Sequence, residues 1–262
     1  MTDRATDPGR LHSAARRGVY LAPFGEVSDP RVLTELAARA EDRGWDGFFL
    51  WDHIAYDGVA AVADPWIALA GIACATQRLI IGPLVTPLPR RRIQKLARET
   101  VSLDLLSGGR TVFGAGIGGD RGGELSRFGE ELDPRERGRL LDDGLERLAR
   151  YWGGELEPQA LQQPRIPVWL AVRWPNRKPV RRAAAWDGLF PIEMPGPDSL
   201  AQLVAEVKAL RAPDAGPFDF VVTAKPGTEW EPWIAAGATW CLTGFAQHPT
   251  LAGVRAAIDA GP

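Results

Sequence analysis

The stretch at 78–119, RLIIGPLVTPLPRRRIQKLARETVSLDLLSGGRTVFGAGIGG, decides the fold. Leu79, Ile80 and Ile81 form a short apolar run closed by Gly82-Pro83, and Thr86, Pro87 and Pro89 break the chain after it. Ile93, Leu96, Ala97, Thr100 and Val101 then recur at the three-and-four spacing of a helix with one buried face. Ser107, Gly108 and Gly109 end that helix, as glycine just past a helix terminus does, and Thr111, Val112 and Phe113 restart a buried strand. The order is strand, tight loop, helix, strand, glycine-rich loop. Such a β-α-β unit puts two sharp loops on one side of a parallel sheet, the side on which α/β proteins bind ligands.

The alternation continues on both sides of this unit. Short apolar runs predict strands at 19–22, 47–51, 79–84, 110–115, 167–172, 188–191, 218–223 and 238–243. Amphipathic segments predict helices at 30–43, 65–76, 89–106, 134–152, 176–186, 199–211, 229–236 and 250–260. Asp29-Pro30, Asp64-Pro65 and Asp133-Pro134 each set a capping carboxylate before proline at the first helical position, and Gly44 and Gly237 are natural stops. Alternating strands and helices in a chain of 262 residues predict an α/β fold, a closed (β/α)8 TIM barrel rather than a doubly wound open sheet, since such barrels typically run to about 250 residues. Residues 1–17, rich in Arg, Asp, Ser and Gly, read as a flexible tail and 18–262 as one barrel domain, because the Pro/Gly-rich stretches at 153–167 and 191–198 are only loop length.

Composition narrows the function. A net charge of −2 gives no footprint for nucleic acid, and the runs Arg90-Arg91-Arg92 and Arg181-Arg182 are short enough to be solvated helix faces. Cys74 and Cys241 lie in apolar segments without metal-ligand spacing and read as buried thiols of a protein in a reducing cytoplasm. No apolar run approaches the roughly 20 residues that span a bilayer, so no membrane partner is expected. The sequence contains no His-x-His, HExxH, Cys-x-x-Cys or G-x-S-x-G pattern. That leaves an organic cofactor as the carrier of chemistry, with no metal.

Barrels place chemistry at the C-terminal ends of their strands. Those ends carry Pro23-Phe24-Gly25-Glu26, Trp51-Asp52-His53, Leu84-Val85-Thr86-Pro87, the glycines Gly114, Gly116, Gly118 and Gly119, and Ala171-Val172-Arg173-Trp174. Aromatic rings, bare backbone and few ionisable groups suit a large planar ligand. His53 is one of three histidines and the one at a strand end; it reads either as a general acid or base or as a structural histidine tying down a neighbouring loop. Asp52 is either a more deeply placed acid or a cap for that loop. Gly114, Gly116 and Gly119 match G-x-G-x-x-G, but a polar segment rather than a helix follows, which rejects a dinucleotide fingerprint. These glycines either admit a ligand ring or make a turn. The segment from Arg173 through Asn176 to Arg177 and Lys178 opens a helix and reads as a phosphate site or as ordinary surface charge.

Five segments resemble the bacterial-luciferase-like oxidoreductases: PFGE at 23–26, GWDGFFLWDH at 44–53, the run at 79–118 with LSGGR at 106–110, PRIPVWLAVRWPNRKPVRRAAAWDGLFP at 164–191, and AGATWCLTG at 236–244. The resemblance implies a luciferase-like barrel that uses reduced FMN or the deazaflavin coenzyme F420. By position it implies catalytic roles for Asp52 and His53 beside the reactive edge of the ring. It implies cofactor contacts from Phe24, from a bulge at Leu84, Val85 and Thr86 with a non-proline cis peptide at Leu84–Val85, from Gly116 and Gly118, and from Ala171, Arg173, Trp174 and Asn176. Two departures stand out. An acid follows the fourth-strand glycines in some deazaflavin-dependent members, where this chain has Gly119 and then Asp120; and the link from Trp152 to Pro167 is shorter than the family's usual insertion. The implied activity is a monooxygenase acting on a small organic substrate with O2 and a separate flavin reductase, in a cytoplasmic homodimer. The alternatives are F420-dependent hydride transfer and a non-catalytic flavin-binding barrel. No residue names the substrate.

Overall fold

A computed structural model describes residues 15–262. Its strands are β1 (Arg16–Leu21), β2 (Gly47–Leu50), β3 (Ile80–Pro83), β4 (Thr86–Pro87), β5 (Phe113–Gly116), β6 (Val168–Arg173), β7 (Gly188–Ile192), β8 (Asp219–Ala224) and β9 (Trp240–Gly244). Every paired neighbour is parallel, in the order β3-β2-β1-β9-β8-β7-β6-β5-β4. The sheet closes where the Ile81 amide donates to the Arg110 carbonyl and the Val112 amide to that of Ile81. β3 and β4 are one barrel strand interrupted by the cis peptide Leu84–Val85, so the ring has the eight strand positions expected. β1 begins at Arg16, inside the expected tail; the rest of that tail, 1–14 with His12, lies outside the described residues.

Helices follow in turn: α1 (Pro30–Asp42), α2 (Pro65–Ala75), α3 (Ile93–Ser107), α4 (Pro134–Arg150), α5 (Lys178–Ala184), α6 (Pro197–Leu210), α7 (Glu231–Ala235) and α8 (Leu251–Asp259). The Asp29, Asp64 and Asp133 carboxylates accept from the amides of Arg31, Ile67 and Arg135, so the three Asp-Pro caps form as read. The long helix expected from Pro89 is instead a 3₁₀ turn at Leu88–Arg90 followed by α3, and the end of the expected fourth helix is a π turn at Tyr151–Glu155. α2 carries no charged residue; Ile67 on it is 66% exposed and Cys74 is exposed, not buried as its apolar surroundings suggest. Cys241 is buried, and desolvation pushes its thiol up to about 11, which leaves it inert.

Glycines make room for the barrel's plug. A methyl group on Gly47 would lie 2.7–3.0 Å from the rings of Phe49 and Trp240, and one on Gly188 would lie 2.3 Å from Trp169. Phe49, Trp169 and Trp240 fill that space as a triangle with ring centroids 5.4–5.5 Å apart, each pair worth about 0.5–1.5 kcal/mol beyond its buried area. This layer seals the floor. Above it Tyr20, Val85, Ala171 and Ile192 are only partly buried, and the barrel opens toward the C-terminal ends of its strands. No helix among the described residues is long and apolar enough to cross a membrane.

Candidate active site

Where β2 ends, the chain turns through Trp51, Asp52 and His53, and a buried ion network forms around them. Asp52 is 1% exposed. Its Oδ2 accepts from Trp66 Nε1 at 3.1 Å, Thr86 Oγ1 at 2.7 Å and Arg91 Nη2 at 2.7 Å, and its Oδ1 accepts from Arg90 Nη2 at 2.7 Å. Arg90 also donates to the Asp52 carbonyl and, at 2.5 Å, to Glu124 Oε1. Glu124, itself 1% exposed, takes the Ile54 amide on Oε1 at 2.7 Å, and its Oε2 lies 2.8 Å from His53 Nδ1. The 3₁₀ turn at Leu88–Arg90 aims Arg90 inward. The loop after β5 delivers Glu124: the Asp120 carboxylate accepts the amides of Leu125 and Ser126, and Gly122 approaches the Tyr56 backbone so closely that a Cβ there would stand 2.8 Å from it.

The electrostatics follow from this packing. Burial pushes the Asp52 carboxyl up, but the Arg91 and Arg90 guanidinium groups and the Thr86 hydroxyl overcome it and hold the group below the usual range. Burial acts on Glu124 in the same way, and His53, Arg90 and the Ile54 amide hold it below its usual range too. Both are therefore carboxylates at neutral pH. A carboxylate only accepts, so His53 Nδ1 carries the hydrogen, and Nε2 is the nitrogen left for other work. The ring stands among Phe24, Trp51 and Tyr56 at centroid distances of 6.0, 5.7 and 5.0 Å.

The expected site residues separate into groups. Val85 is half-buried and faces Gly116 and Ala171: a Cβ on Gly116 would stand 3.1 Å from Val85 Cγ2 and 3.4 Å from Ala171 Cβ. Leu84 belongs to the barrel interior and Phe24 lies fully buried beneath the aromatic loop. Thr86 is fully buried, with its hydroxyl spent on Asp52, and Gly118 adopts φ +73° against Pro87. Arg173 pairs with Glu193, whose own φ is +61°. Arg177 stacks on Trp174 at 4.2 Å and bonds Glu206 at 3.0 Å, while the Asn176 side chain accepts the Lys178 amide at 3.2 Å. Arg182 is no free surface charge, since it pairs with Asp142.

The largest correction concerns Arg90 and Arg91, which read as solvated helix face. Arg90 is 3% exposed and joins Asp52 to Glu124. Glu124 and Tyr56 escaped notice altogether, because each sits in a polar loop whose sequence shows no partner. Asp120, the acid next to the fourth-strand glycines, instead accepts the Leu125 and Ser126 amides in the loop that carries Glu124.

Comparison with known proteins agrees with this fold. A family model described as luciferase-like monooxygenase matches residues 8–227. Limonene 1,2-monooxygenase of Rhodococcus erythropolis is 32% identical over 147 residues, covering 54% of this chain and 37% of that protein. The oxygenase component of the flavin-dependent trigonelline monooxygenase of Acinetobacter baylyi is 27% identical over 158 residues, covering 55% of this chain and 43% of that one. The chain thus matches about two-fifths of the length of these relatives. An F420-dependent secondary alcohol dehydrogenase, solved with an F420–acetone adduct, superposes with a TM-score of 0.74 at 16% identity, over 94% of this chain and 96% of that one. With the family pattern running from before β1 through β8, short only of α7, β9 and α8, the chain belongs to the luciferase-like monooxygenase family.

Proposed function

We propose that this chain is a flavin-dependent oxidoreductase, a monooxygenase that uses reduced FMN and O2 on a small organic substrate. The observation that carries the reading is His53 at the end of β2, its Nδ1 held by buried Glu124 and its ring among those of Phe24, Trp51 and Tyr56. We assign the ring system to the opposite side, where the small side chains of Val85 and Ala171 pack over Gly116. Bound flavin supplies the redox chemistry. Val85, Gly116, Gly118 and Ala171 support one ring face; Arg173, Trp174 and Asn176 hold the phosphate-bearing tail; Phe24 and Trp51 exclude water. His53 holds or moves a proton at Nε2. Asp52 acts beneath it as a positioning residue, because its oxygens are already engaged by Trp66, Thr86, Arg90 and Arg91.

A separate reductase suits this reading, since the trigonelline relative is named as an oxygenase component. The uncharged α2, with Ile67 and Cys74 exposed, supports a homodimer packed through that helix, and an exposed thiol suits a reducing cytoplasm. F420 with hydride transfer is the second reading; Arg173, Arg177 and Lys178 on one edge support it, as an acidic tail needs basic partners. Fluorescence titration with FMN and with F420, oxidised and reduced, separates the two. Tighter binding of reduced FMN is the expected result. His53→Ala should then lower turnover by about 10²–10⁴-fold with flavin affinity nearly unchanged; unchanged turnover removes His53 from the chemistry.

A further inference from the structure

β6 and β7 end side by side, and the residues at those ends carry opposite charges. Side chains on a strand alternate between its two faces. On β6, Trp169 and Ala171 belong to the barrel interior, while Leu170 and Val172 pack toward the helices. The next interior position is Arg173, one step above Ala171. On β7, Phe190 and Ile192 belong to the interior and Leu189 to the helix side, so extended backbone would turn Glu193 outward. Glu193 instead adopts φ +61°, the one non-glycine residue with a positive φ among the described residues. Side chains with a Cβ are uncommon in that region and stay there only where the surroundings hold them. The turn ends the alternation, and the Glu193 carboxylate accepts from Arg173 Nη1. The two strand ends are fixed beside each other, since Arg173 is in register with Ile192 and the Trp174 amide donates to the Ile192 carbonyl at 2.9 Å.

Both side chains of this pair are 55% exposed. A pair so open to water adds little to folding, and a stronger anion can displace its carboxylate. Arg173, and more weakly Arg121, hold the Glu193 carboxyl below its usual range, so it is ionised at neutral pH. Arg121 is engaged elsewhere: the Tyr56 hydroxyl accepts from Arg121 Nη1 and from Gln247 Nε2, both at 3.0 Å. Arg173 is thus the main partner of Glu193. We propose that Glu193 is a specificity-determining residue whose carboxylate competes with the anionic end of the cofactor for Arg173, so that a flavin phosphate must displace it and gains little over the same flavin without phosphate. This deepens the reading above and rests on it for the assignment of the ring to Ala171 and of the phosphate to Arg173. A flavin held weakly by its tail is readily exchanged, which suits delivery by a separate reductase.

The test measures dissociation constants of FMN and of riboflavin by flavin fluorescence on the purified full chain. Glu193→Gln keeps the shape and removes the charge; it should tighten FMN about fivefold and leave riboflavin within about twofold. Glu193→Gly also lifts the constraint on φ and should tighten FMN to the same extent. In an Arg173→Gln background, Glu193→Gln should change FMN affinity by less than about twofold, because the competition needs both partners. An unchanged ratio of FMN to riboflavin affinity in both Glu193 variants overturns the proposal. So does tightening that persists without Arg173, which would make Glu193 a source of general repulsion only. Weakened FMN with riboflavin unaltered also overturns it, since Glu193 would then be holding Arg173 in place for the phosphate. If neither flavin binds, inorganic phosphate followed by phosphorus NMR decides. About fivefold tighter phosphate binding in Glu193→Gln, lost with Arg173→Gln, upholds the competition and defeats the flavin reading; unchanged phosphate binding overturns the competition itself.

Discussion

The two rims of the barrel use the same residue types for opposite ends. On the N-terminal rim, Glu41 accepts the amides of Gln77, Arg78 and Leu79, and Arg110 donates to the carbonyls of Ala73, Thr76, Leu79 and Ser107. Each charged group there satisfies main chain at a turn between elements. On the C-terminal rim, Asp52, Arg90, Arg91 and Glu124 chiefly satisfy one another and a histidine. The first arrangement closes the chain on itself. The second places buried charge around a histidine and fixes the orientation of its ring. Charge at the bottom is architecture, and charge at the top holds a site in register, as barrels generally divide stability from activity.

Variants sharpen that contrast. Arg90→Ala removes the guanidinium that two buried carboxylates share and should have the largest effect, about 3–5 kcal/mol of stability by urea unfolding, together with loss of activity. A drop much smaller than that would mean water enters the network and the charges are not truly desolvated. Arg110→Ala, on the other rim, should cost about 1–3 kcal/mol by leaving buried carbonyls unmet, yet turnover per folded molecule should not change. If turnover falls as well, the division between the rims fails.

Acid probes the C-terminal rim without mutation. Asp52 and Glu124 are held below their ordinary values of 3.8 and 4.5, so their stabilising contribution is fully present above pH 4.5 and fades as pH falls through the lowered values. The urea midpoint should therefore decline from pH 5 to pH 3, and Glu124→Gln should flatten part of that decline; an identical slope would show that Glu124 is not coupled to folding. The smallest effect belongs to the solvated face of α4. Arg139 pairs there with Glu136 and Asp143 while 58% exposed, and Arg139→Ala should leave the unfolding midpoint where it is.

Much of the fold was legible because its determinants are local. The Asp-Pro caps, the helix stops at Gly44 and Gly237, and the strand-helix alternation each depend on residues within one or two turns of one another, and all three caps formed as read. The cis peptide at Leu84–Val85 also lies where the family resemblance implied it. Arg90 failed the local reading for a physical reason. Three consecutive arginines beside a helix look solvated by composition, and only a 3₁₀ turn in place of the first helical turn swings Arg90 beneath Asp52.

By itself, then, the sequence determined the barrel, the order of its elements and the presence of Asp52 and His53 at a strand end, since hydrophobic period and turn chemistry act over short distances. Tertiary structure alone decided the partners. Glu124 is 71 positions from His53, and Gln247 is 191 from Tyr56. Nothing in their own neighbourhoods distinguishes them from other polar loop residues. Their roles arise because closing the barrel brings the loops after β2, β5 and β9 to one mouth, where a buried carboxylate or an amide acquires meaning only from the group it faces.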